Sequence, residues 1–210
     1  MIYVLDLDGT LIDSSARHGA LLKAILDDRK VFYPSNIGEE YLEYKRDGNT
    51  TFQYLKNKLH LDDCAAKAIS REWVNHIEDW KWISLDILYP DSIPFLRNAV
   101  NNNTIFYLSC RRSKDSLLKE IEELHIAEYA QKVYVISPEE GYNGKKAIIK
   151  RIANEYSDRI CVFGDTEIDE KAAKGENCEV YLLNRGFRSK KYWESQSILS
   201  YETLPGELVL

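Results

Sequence analysis

The sequence predicts an α/β protein in which a doubly wound parallel sheet carries an inserted, all-helical segment. Five short, almost wholly apolar runs are spread along the chain, and patterns typical of amphipathic helices separate several of them. Short apolar runs suit parallel strands that helices cover on both faces, and their alternation with helices favours a doubly wound sheet. A stretch of about 70 residues after the first run contains helical patterns alone, which indicates an insertion.

The predicted strands are short and rich in β-branched and aromatic residues. They span residues 2–5 (IYVL), 104–108 (TIFYL), 133–136 (VYVI), 160–163 (ICVF) and 179–183 (EVYLL). Two segments between these strands, 113–126 and 144–156, place apolar residues at helical spacing and charged residues elsewhere. We therefore predict helices there that pack against the sheet.

The long helical stretch begins just after the first strand. Residues 14–85 contain helical patterns and no good strand, and the sheet resumes near YPDSIPFLRNAVNNN, ahead of the second strand. We therefore expect a discontinuous core domain, residues 1–13 and 86–210, and a helical insert, residues 14–85. The three tryptophans of the helical insert are interpreted as packing residues of a helical bundle.

The composition argues against several classes of protein. The chain has 210 residues and a formal net charge of −6, so no overall basic character invites nucleic acid. No apolar run approaches the roughly 18 residues of a membrane span, and the start lacks the pattern of a signal peptide. The four cysteines form no CxxC pair and the four histidines form no ligand-spaced motif, which disfavours a zinc site. We therefore expect a cytoplasmic protein with reduced thiols, and neither nucleic acid nor a membrane as a partner.

Acidic and polar side chains follow the ends of the predicted strands. Asp6 and Asp8 follow the first strand, Ser109 follows the second, and Asp165 and Asp169 follow the fourth. A pair of lysines lies after the third strand, at the start of a predicted helix. In open parallel sheets, ligands bind beyond the carboxyl ends of the strands. We therefore expect these side chains to meet at one edge of the sheet.

The carboxylates of Asp6 and Asp8 pose an electrostatic problem. Residues i and i+2 of a strand point to the same face, and two like charges there repel unless a positive group lies nearby. Magnesium prefers carboxylate and water oxygens and often shares its shell with a substrate phosphate. We therefore expect Mg²⁺ between these acids and Asp165, with Ser109 and a lysine on the phosphoryl oxygens.

Four motifs at the strand ends resemble those of the haloacid dehalogenase superfamily. DLDGTL at 6–11 resembles the first motif, DxDGT, and YLSCR at 107–111 resembles the second, an apolar strand that ends in Ser or Thr. Lys145 resembles the lone lysine of the third motif, and GDTEID at 164–169 resembles the fourth, GDxxxD. The resemblance implies a Rossmann-like core with a helical cap inserted after the first motif, as in the phosphoglycolate phosphatase-like subgroup.

The resemblance also implies roles for the four acids. Asp6 would be the nucleophile that forms an aspartyl-phosphate, and Asp8 would be the general acid and then the general base. Mg²⁺ would be held by Asp6, by the backbone carbonyl of Asp8 and by Asp165. Asp169 would be a further ligand or a partner of the ligands.

A second group of residues would hold the phosphoryl group. The resemblance assigns Ser109 and Lys145 to its oxygens, with Gly9 and Thr10 forming the tight turn beside it. Lys146 stays an alternative to Lys145, which is preferred because apolar residues four and seven positions later define the buried face of the helix.

The implied activity is hydrolysis of a phosphate monoester of a small metabolite. A sugar phosphomutase shares both acids and the helical cap, so it stays open as an alternative. A non-catalytic binding module is disfavoured because Asp6 and Asp8 are both present. The sequence makes no prediction about the identity of the substrate or the oligomeric state.

Several basic side chains are candidates for contact with the substrate. They are Arg17, His18, Lys45 and Arg46 in the helical insert, and Arg111 and Arg112 after Ser109. For each of them, a solvated surface position is the favoured interpretation. Cys110 adjoins the expected site, but no base is positioned to activate its thiol.

Overall fold

The computed structural model describes residues 1–175 and 178–206, and these residues contain two β-sheets. The strands within them are β1 (Ile2–Leu5), β2 (Ile12–Asp13), β3 (Ile87–Leu88), β4 (Thr104–Cys110), β5 (Lys132–Ile136), β6 (Ile160–Gly164) and β7 (Cys178–Leu182). The larger sheet has five parallel strands in the order β5–β4–β1–β6–β7. The predicted doubly wound parallel sheet is therefore confirmed.

The helical insert forms a group of helices between β2 and β3. Its helices are α1 (Ser15–Asp28), α2 (Ile37–Arg46), α3 (Thr51–Asn57), α4 (Asp63–His76) and α5 (Trp80–Ile83). They share a hydrophobic cluster that is separate from the two clusters of the sheet and whose buried residues include Leu22, Tyr41, Tyr54 and Ile69. β2 and β3 pair antiparallel at the two ends of this segment. The sequence does not predict these strands because two residues are too few to show an alternation.

The remaining helices cover both faces of the sheet. They are α6 (Ser92–Ala99), α7 (Lys114–Glu123), α8 (Gly141–Glu155), α9 (Glu167–Ala173) and α10 (Lys190–Ser195), with a 3₁₀ turn at Ala127–Tyr129. Successive residues of a strand point to opposite faces. Tyr3 and Leu5 accordingly pack in one cluster with α6 and α7, whereas Ile2 and Val4 pack in another with α8 and α9. No helix in the described part of the chain is long and apolar enough to cross a membrane.

The strand register brings the predicted site residues to one edge of the sheet. β1 lies between β4 and β6, and Leu5 is opposite Tyr107 on one side and Phe163 on the other. Ser109 and Asp165 each lie two residues beyond these partners, level with the chain that leaves β1. The carboxyl ends of the three central strands therefore converge at Asp6 and Asp8, which follow β1 directly.

Candidate active site

A cavity of about 220 Å³ lies between this edge of the sheet and the helical insert. Its lining combines acids and bases of the sheet edge with apolar and aromatic side chains. The lining residues are Asp6, Asp8, Arg17, His18, Trp73, Ile77, Glu78, Ser109, Cys110, Arg111, Lys145, Asp165, Thr166, Ile168 and Phe187. The structure thus brings together most of the residues expected at the site from three strand ends, one helix start and the helical insert.

Lys145 lies between two of the predicted acids. Its Nζ is 2.7 Å from Asp6 Oδ1 and 2.6 Å from Asp169 Oδ1. Burial, partly offset by the Lys145 ammonium, raises the pKa of Asp6 to about 7. Lys146 instead donates a hydrogen bond to the backbone carbonyl of Lys174, 3.1 Å away at the surface. Of the two lysines considered from the sequence, Lys145 is the one that contacts the acids.

Asp6, Asp165 and Asp169 form a compact acidic cluster. One carboxylate oxygen from each lies within 4.8 Å of the others, and the Lys145 ammonium contacts Asp6 and Asp169. Asp165 Oδ2 accepts a hydrogen bond from the Phe187 N–H at 2.5 Å, whereas its buried Oδ1 has no partner in the described part of the chain. Burial and the two neighbouring carboxylates raise the pKa of Asp165 well above its usual value. An excess of negative charge with an unpartnered carboxylate oxygen fits a divalent cation.

Asp169 is held more tightly than the other two acids. Its Oδ1 accepts from Lys145, and its Oδ2 accepts from the Thr166 hydroxyl at 2.9 Å and from the Thr166 N–H at 3.2 Å. Both oxygens therefore have protein donors, and the carboxylate also caps the start of α9. This environment suits a residue that orients the ligands better than one that binds a cation directly.

Asp8 has its own counter-charges, separate from those of Asp6. Arg111 donates to Asp8 through Nε at 2.8 Å and Nη2 at 2.9 Å, and Arg17 donates to the same carboxylate. Although burial opposes it, the two guanidinium groups lower the pKa of Asp8 to about 2. Besides the Mg²⁺ that the sequence analysis expects, the protein itself places a different cation on each of Asp6 and Asp8.

Gly9 and Thr10 shape the turn after β1 without lining the cavity. The Gly9 N–H donates to the Ile12 carbonyl at 2.8 Å, and the Thr10 N–H donates to the Leu7 carbonyl at 3.1 Å. The Thr10 hydroxyl is buried and has no partner within the described residues. Neither residue lines the cavity, and the Thr10 hydroxyl makes no hydrogen bond across the turn within the described residues. Gly9 is needed for its φ of 75°, which favours glycine.

An aromatic layer, defined here as His18, Trp73 and Phe187, closes the cavity on the side of the helical insert. The His18 ring lies 4.5 Å from that of Phe187 and 5.0 Å from that of Trp73, centroid to centroid. Behind the layer, Lys45 Nζ is 3.2 Å from His18 Nδ1 and 4.6 Å from the centroid of the Trp73 ring. Trp73 is therefore both a packing residue of the helical bundle and part of the cavity wall.

Hydrogen bonds on two sides of the cavity hold the helical insert against the core. Glu78 accepts from the backbone N–H groups of Arg112 and Ser113, at 2.9 and 2.8 Å. Arg46 of α2 donates to the carbonyl oxygens of Arg185 and Gly186, at 2.7 and 2.8 Å. The structure is therefore closed over the site.

The sequence did not indicate several residues of the site, or favoured a solvated position for them, as it did for His18. Arg17 and Arg111 are buried and contact Asp8, although an exposed position was the favoured interpretation for both. Phe187 was not singled out, although it follows the fifth strand of the sheet. The rule that ligands bind beyond strand ends could have identified Phe187 and Arg111, since both lie in segments that leave a strand.

Cys110 lines the cavity but is not prepared for nucleophilic chemistry. Burial raises the pKa of its thiol to about 12. A thiol with such a pKa is protonated at neutral pH and is a poor nucleophile.

Comparisons with known proteins place the fold in a described family. The family model of haloacid dehalogenase-like hydrolases matches residues 1–176. A comparison with curated protein sequences finds no match.

Solved structures share the fold at low sequence identity. A haloacid dehalogenase-like family hydrolase from Streptococcus pneumoniae superposes with a TM-score of 0.72 at 16% identity, over 95% of this chain and 91% of the other. A predicted phosphatase from Clostridium acetobutylicum gives 0.65 at 16% identity, over 94% and 91% of the two chains. YfnB from Bacillus subtilis, in a structure bound to magnesium, gives 0.63 at 12% identity, over 87% and 86%. With the family model covering most of the chain, this protein belongs to the haloacid dehalogenase-like hydrolase family.

Proposed function

We propose that this protein is a Mg²⁺-dependent phosphatase that hydrolyses a small phosphate monoester through an aspartyl-phosphate on Asp6. The main observation in support of the proposal is that two neighbouring acids lie in different environments. Asp6 lies with Lys145 beside the acidic cluster, whereas Asp8 lies with Arg17 and Arg111. Because each carboxylate has its own cationic partners, the two acids can take different roles in one reaction.

The first step transfers the phosphoryl group to the protein. A carboxylate oxygen of Asp6 bonds to phosphorus while the bond from phosphorus to the leaving oxygen breaks. Protonated Asp8 gives its proton to that oxygen, and the alcohol departs. Ser109 and Lys145 hold the phosphoryl oxygens during the transfer, since both line the cavity beside Asp6.

The second step regenerates the enzyme. The Asp8 carboxylate accepts a proton from water as the water oxygen attacks phosphorus, and the bond between Asp6 and phosphorus breaks to release phosphate. Arg17 and Arg111 favour the ionised form of Asp8 in the free protein, which is the form that this step uses. For the first step, Asp8 takes up a proton from solvent water as the substrate enters, and it passes that proton to the leaving oxygen.

The acidic cluster supports a metal requirement. Asp6, Asp165 and the backbone carbonyl of Asp8 would hold Mg²⁺, and Asp169 would orient them through Lys145 and Thr166. Bound there, Mg²⁺ would neutralise part of the charge of the cluster and of the phosphoryl group. The magnesium bound in the structure of YfnB is consistent with this assignment.

The helical insert is proposed to be a mobile cap. Closure over the strand ends excludes bulk water and brings the aromatic layer to the leaving group. Besides the ion pair of Arg17 with Asp8 and the packing of His18 on Phe187, the insert contacts the core through hydrogen bonds such as those of Glu78 and Arg46. Polar contacts of this kind suit an interface that opens and closes. The structure of YfnB is described as revealing interdomain movement.

Phosphate release from p-nitrophenyl phosphate, with and without Mg²⁺, tests the proposed function. The wild-type protein should release phosphate only with the metal, and Asp6→Asn should show no turnover while binding Mg²⁺. Turnover by Asp6→Asn, or no turnover on this ester and on a broad panel of phosphorylated metabolites, would contradict it. Interconversion of sugar phosphate isomers that depends on a bisphosphate activator would instead identify a phosphomutase.

A further inference from the structure

We propose that His18 is a specificity-determining residue, held by Lys45 so that its Nε2–H donates a hydrogen bond to an anionic group on the leaving group of the substrate. The inference rests on the proposed function, because it assigns the contact at the opposite end of the same cavity. It names the substrate class as small phosphate monoesters that carry a second anionic group, either a carboxylate or another phosphate.

The first argument is the environment of the Lys45 ammonium. It lies among the rings of Tyr41, Trp73 and Phe187, at 5.5, 4.6 and 5.2 Å from their centroids. No carboxylate of the described residues lies within the 4.0 Å of an ion pair with it. Aromatic faces offer a cation only partial compensation, and a buried charge without a counter-charge is costly. An anion near this position would therefore be stabilised.

The second argument is the tautomer of His18. An ammonium group has donors and no acceptor, so the 3.2 Å contact between Lys45 Nζ and His18 Nδ1 makes Nδ1 the acceptor. A neutral imidazole that accepts at Nδ1 carries its hydrogen on Nε2. Burial and the charges of Lys45 and Arg17 hold the pKa of His18 well below its usual value, so the ring is neutral. His18 thus offers one N–H donor of fixed identity.

The third argument is the size and lining of the cavity. His18, Trp73 and Ile77 line it from the helical insert, whereas Asp6 and Asp165 line it from the edge of the sheet. A volume of about 220 Å³ is below the range of about 300–1,000 Å³ that is usual for drug-sized ligands. The leaving group is therefore small, and its anionic group would reach His18 close to the cations of Arg17 and Lys45. An anion that accepts from His18 Nε2–H would also be a counter-charge for Lys45, because Lys45 donates to the other nitrogen of the same ring.

The tautomer can be measured without any enzyme assay, by ¹⁵N NMR of the histidine side chains at pH 6. The His18 signals are assigned by their loss in His18→Gln. We expect Nε2 protonated and Nδ1 unprotonated in the wild-type protein and in Lys45→Arg, and a mixture of tautomers in Lys45→Met. A hydrogen on Nδ1 in the wild-type protein, or an unchanged tautomer in Lys45→Met, would overturn the role of Lys45.

The contact with the ligand can be measured by calorimetry with three non-hydrolysable probes in the presence of Mg²⁺. Propylphosphonate lacks a second anion, 3-phosphonopropionate carries a carboxylate, and propane-1,3-bisphosphonate carries a second phosphonate. One of the two probes that carry a second anionic group should bind the wild-type protein about tenfold more tightly than propylphosphonate, and the tighter one identifies the second anion. His18→Leu should abolish this preference. His18→Gln should retain most of it, because its amide N–H₂ lies near the position of Nε2.

The outcomes separate the inference from the proposed function. Equal binding of all three probes, or a preference that persists in His18→Leu, overturns the His18 contact and leaves the phosphatase proposal intact. If none of the probes binds, the phosphate site fails and the His18 contact fails with it. Circular dichroism of each variant shows whether it is folded, and His18→Gln provides a second substitution should His18→Leu fail to fold.

Discussion

Arg111 forms a bidentate ion pair with the carboxylate of Asp8, through hydrogen bonds from Nε to Oδ2 at 2.8 Å and from Nη2 to Oδ1 at 2.9 Å. The same Nη2 donates to Glu120 of α7 at 2.9 Å. One buried guanidinium therefore joins the loop after β1 to a helix on the face of the sheet. The next residue, Arg112, lies nearer the surface and contacts Glu78 of the helical insert.

We expect Arg111→Met to lower the free energy of unfolding by about 3–5 kcal/mol, because it leaves the buried Glu120 without its counter-charge and leaves Asp8 with Arg17 alone. Arg112→Met is the matched control. It removes a partly exposed ion pair, so the loss should be about 1 kcal/mol or less. Urea denaturation of both variants measures the difference. Equal losses in the two variants would show that the burial of Arg111 does not increase its contribution to the free energy of unfolding.

The neighbouring lysines of α8 offer a second matched pair. Lys145→Met should reduce phosphatase activity by at least about a hundredfold, because it removes the cation that contacts Asp6 and would neutralise the phosphoryl group. Lys146→Met should change activity by less than about twofold, since Lys146 contacts the backbone of Lys174 at the surface. Initial rates with p-nitrophenyl phosphate and Mg²⁺ compare them. A larger loss in Lys146→Met than in Lys145→Met would reverse the assignment.

Much of the fold is predictable from this sequence because its signals are local. Apolar runs give the five strands of the parallel sheet to within about two residues, and the helical spacing around Ile149 and Ile152 gives the buried face of α8. The positions of Asp6, Ser109 and Asp165 follow from the same signals, because parallel strands end at one edge. α8 begins at Gly141, ahead of the predicted start at 144, since helix ends depend on local contacts.

The contacts between the helical insert and the core are not predictable in this way. Arg17 and His18 follow each other on α1, and their burial results from the way α1 packs over the sheet edge. A basic residue on an amphipathic helix is most often solvated, so sequence alone favours the wrong surroundings for both. The partners of Arg17 are Asp8 and Asp86, which lie on opposite sides of it in the sequence. Such pairs are set by tertiary structure alone.

Gly186 provides a steric prediction beside the acidic cluster. A Cβ there would lie 2.1 Å from Asp165 Oδ2 and 2.5 Å from the Cα of Gly9, so the backbone or Asp165 must shift. We expect Gly186→Ala to lower the free energy of unfolding by at least about 1 kcal/mol and to weaken Mg²⁺ binding. In Gly38→Ala, the new Cβ meets no described atom within 4 Å. That substitution should stabilise α2 by about 0.5–1 kcal/mol. Thermal unfolding and Mg²⁺ titration compare the two variants. A Gly186→Ala variant with the stability and the Mg²⁺ binding of the wild type would contradict the predicted close packing.

Lys45 gives a prediction about pH that is independent of the enzymatic activity. Burial, together with the charges of Arg188 and Arg17, lowers its pKa in the folded protein from 10.5 to about 7. The neutral His18 and the Tyr41, Trp73 and Phe187 rings are the other groups that face it. Between about pH 7 and 10.5 the unfolded chain keeps a proton on Lys45 that the folded chain has released.

The free energy of unfolding rises with pH wherever the unfolded state binds more protons than the folded state. The contribution of Lys45 should therefore increase the free energy of unfolding from about pH 7 upward. The increase is at most about 1.4 kcal/mol per pH unit. Below pH 7 both states hold the proton and this contribution is flat. Lys45→Met removes the titration, so the difference between the two proteins should shift in favour of the wild type between pH 7 and 9.5. Lys45→Arg stays charged throughout and should show no such rise. Urea unfolding at four pH values across this window tests it, and parallel profiles for wild type and Lys45→Met would contradict it.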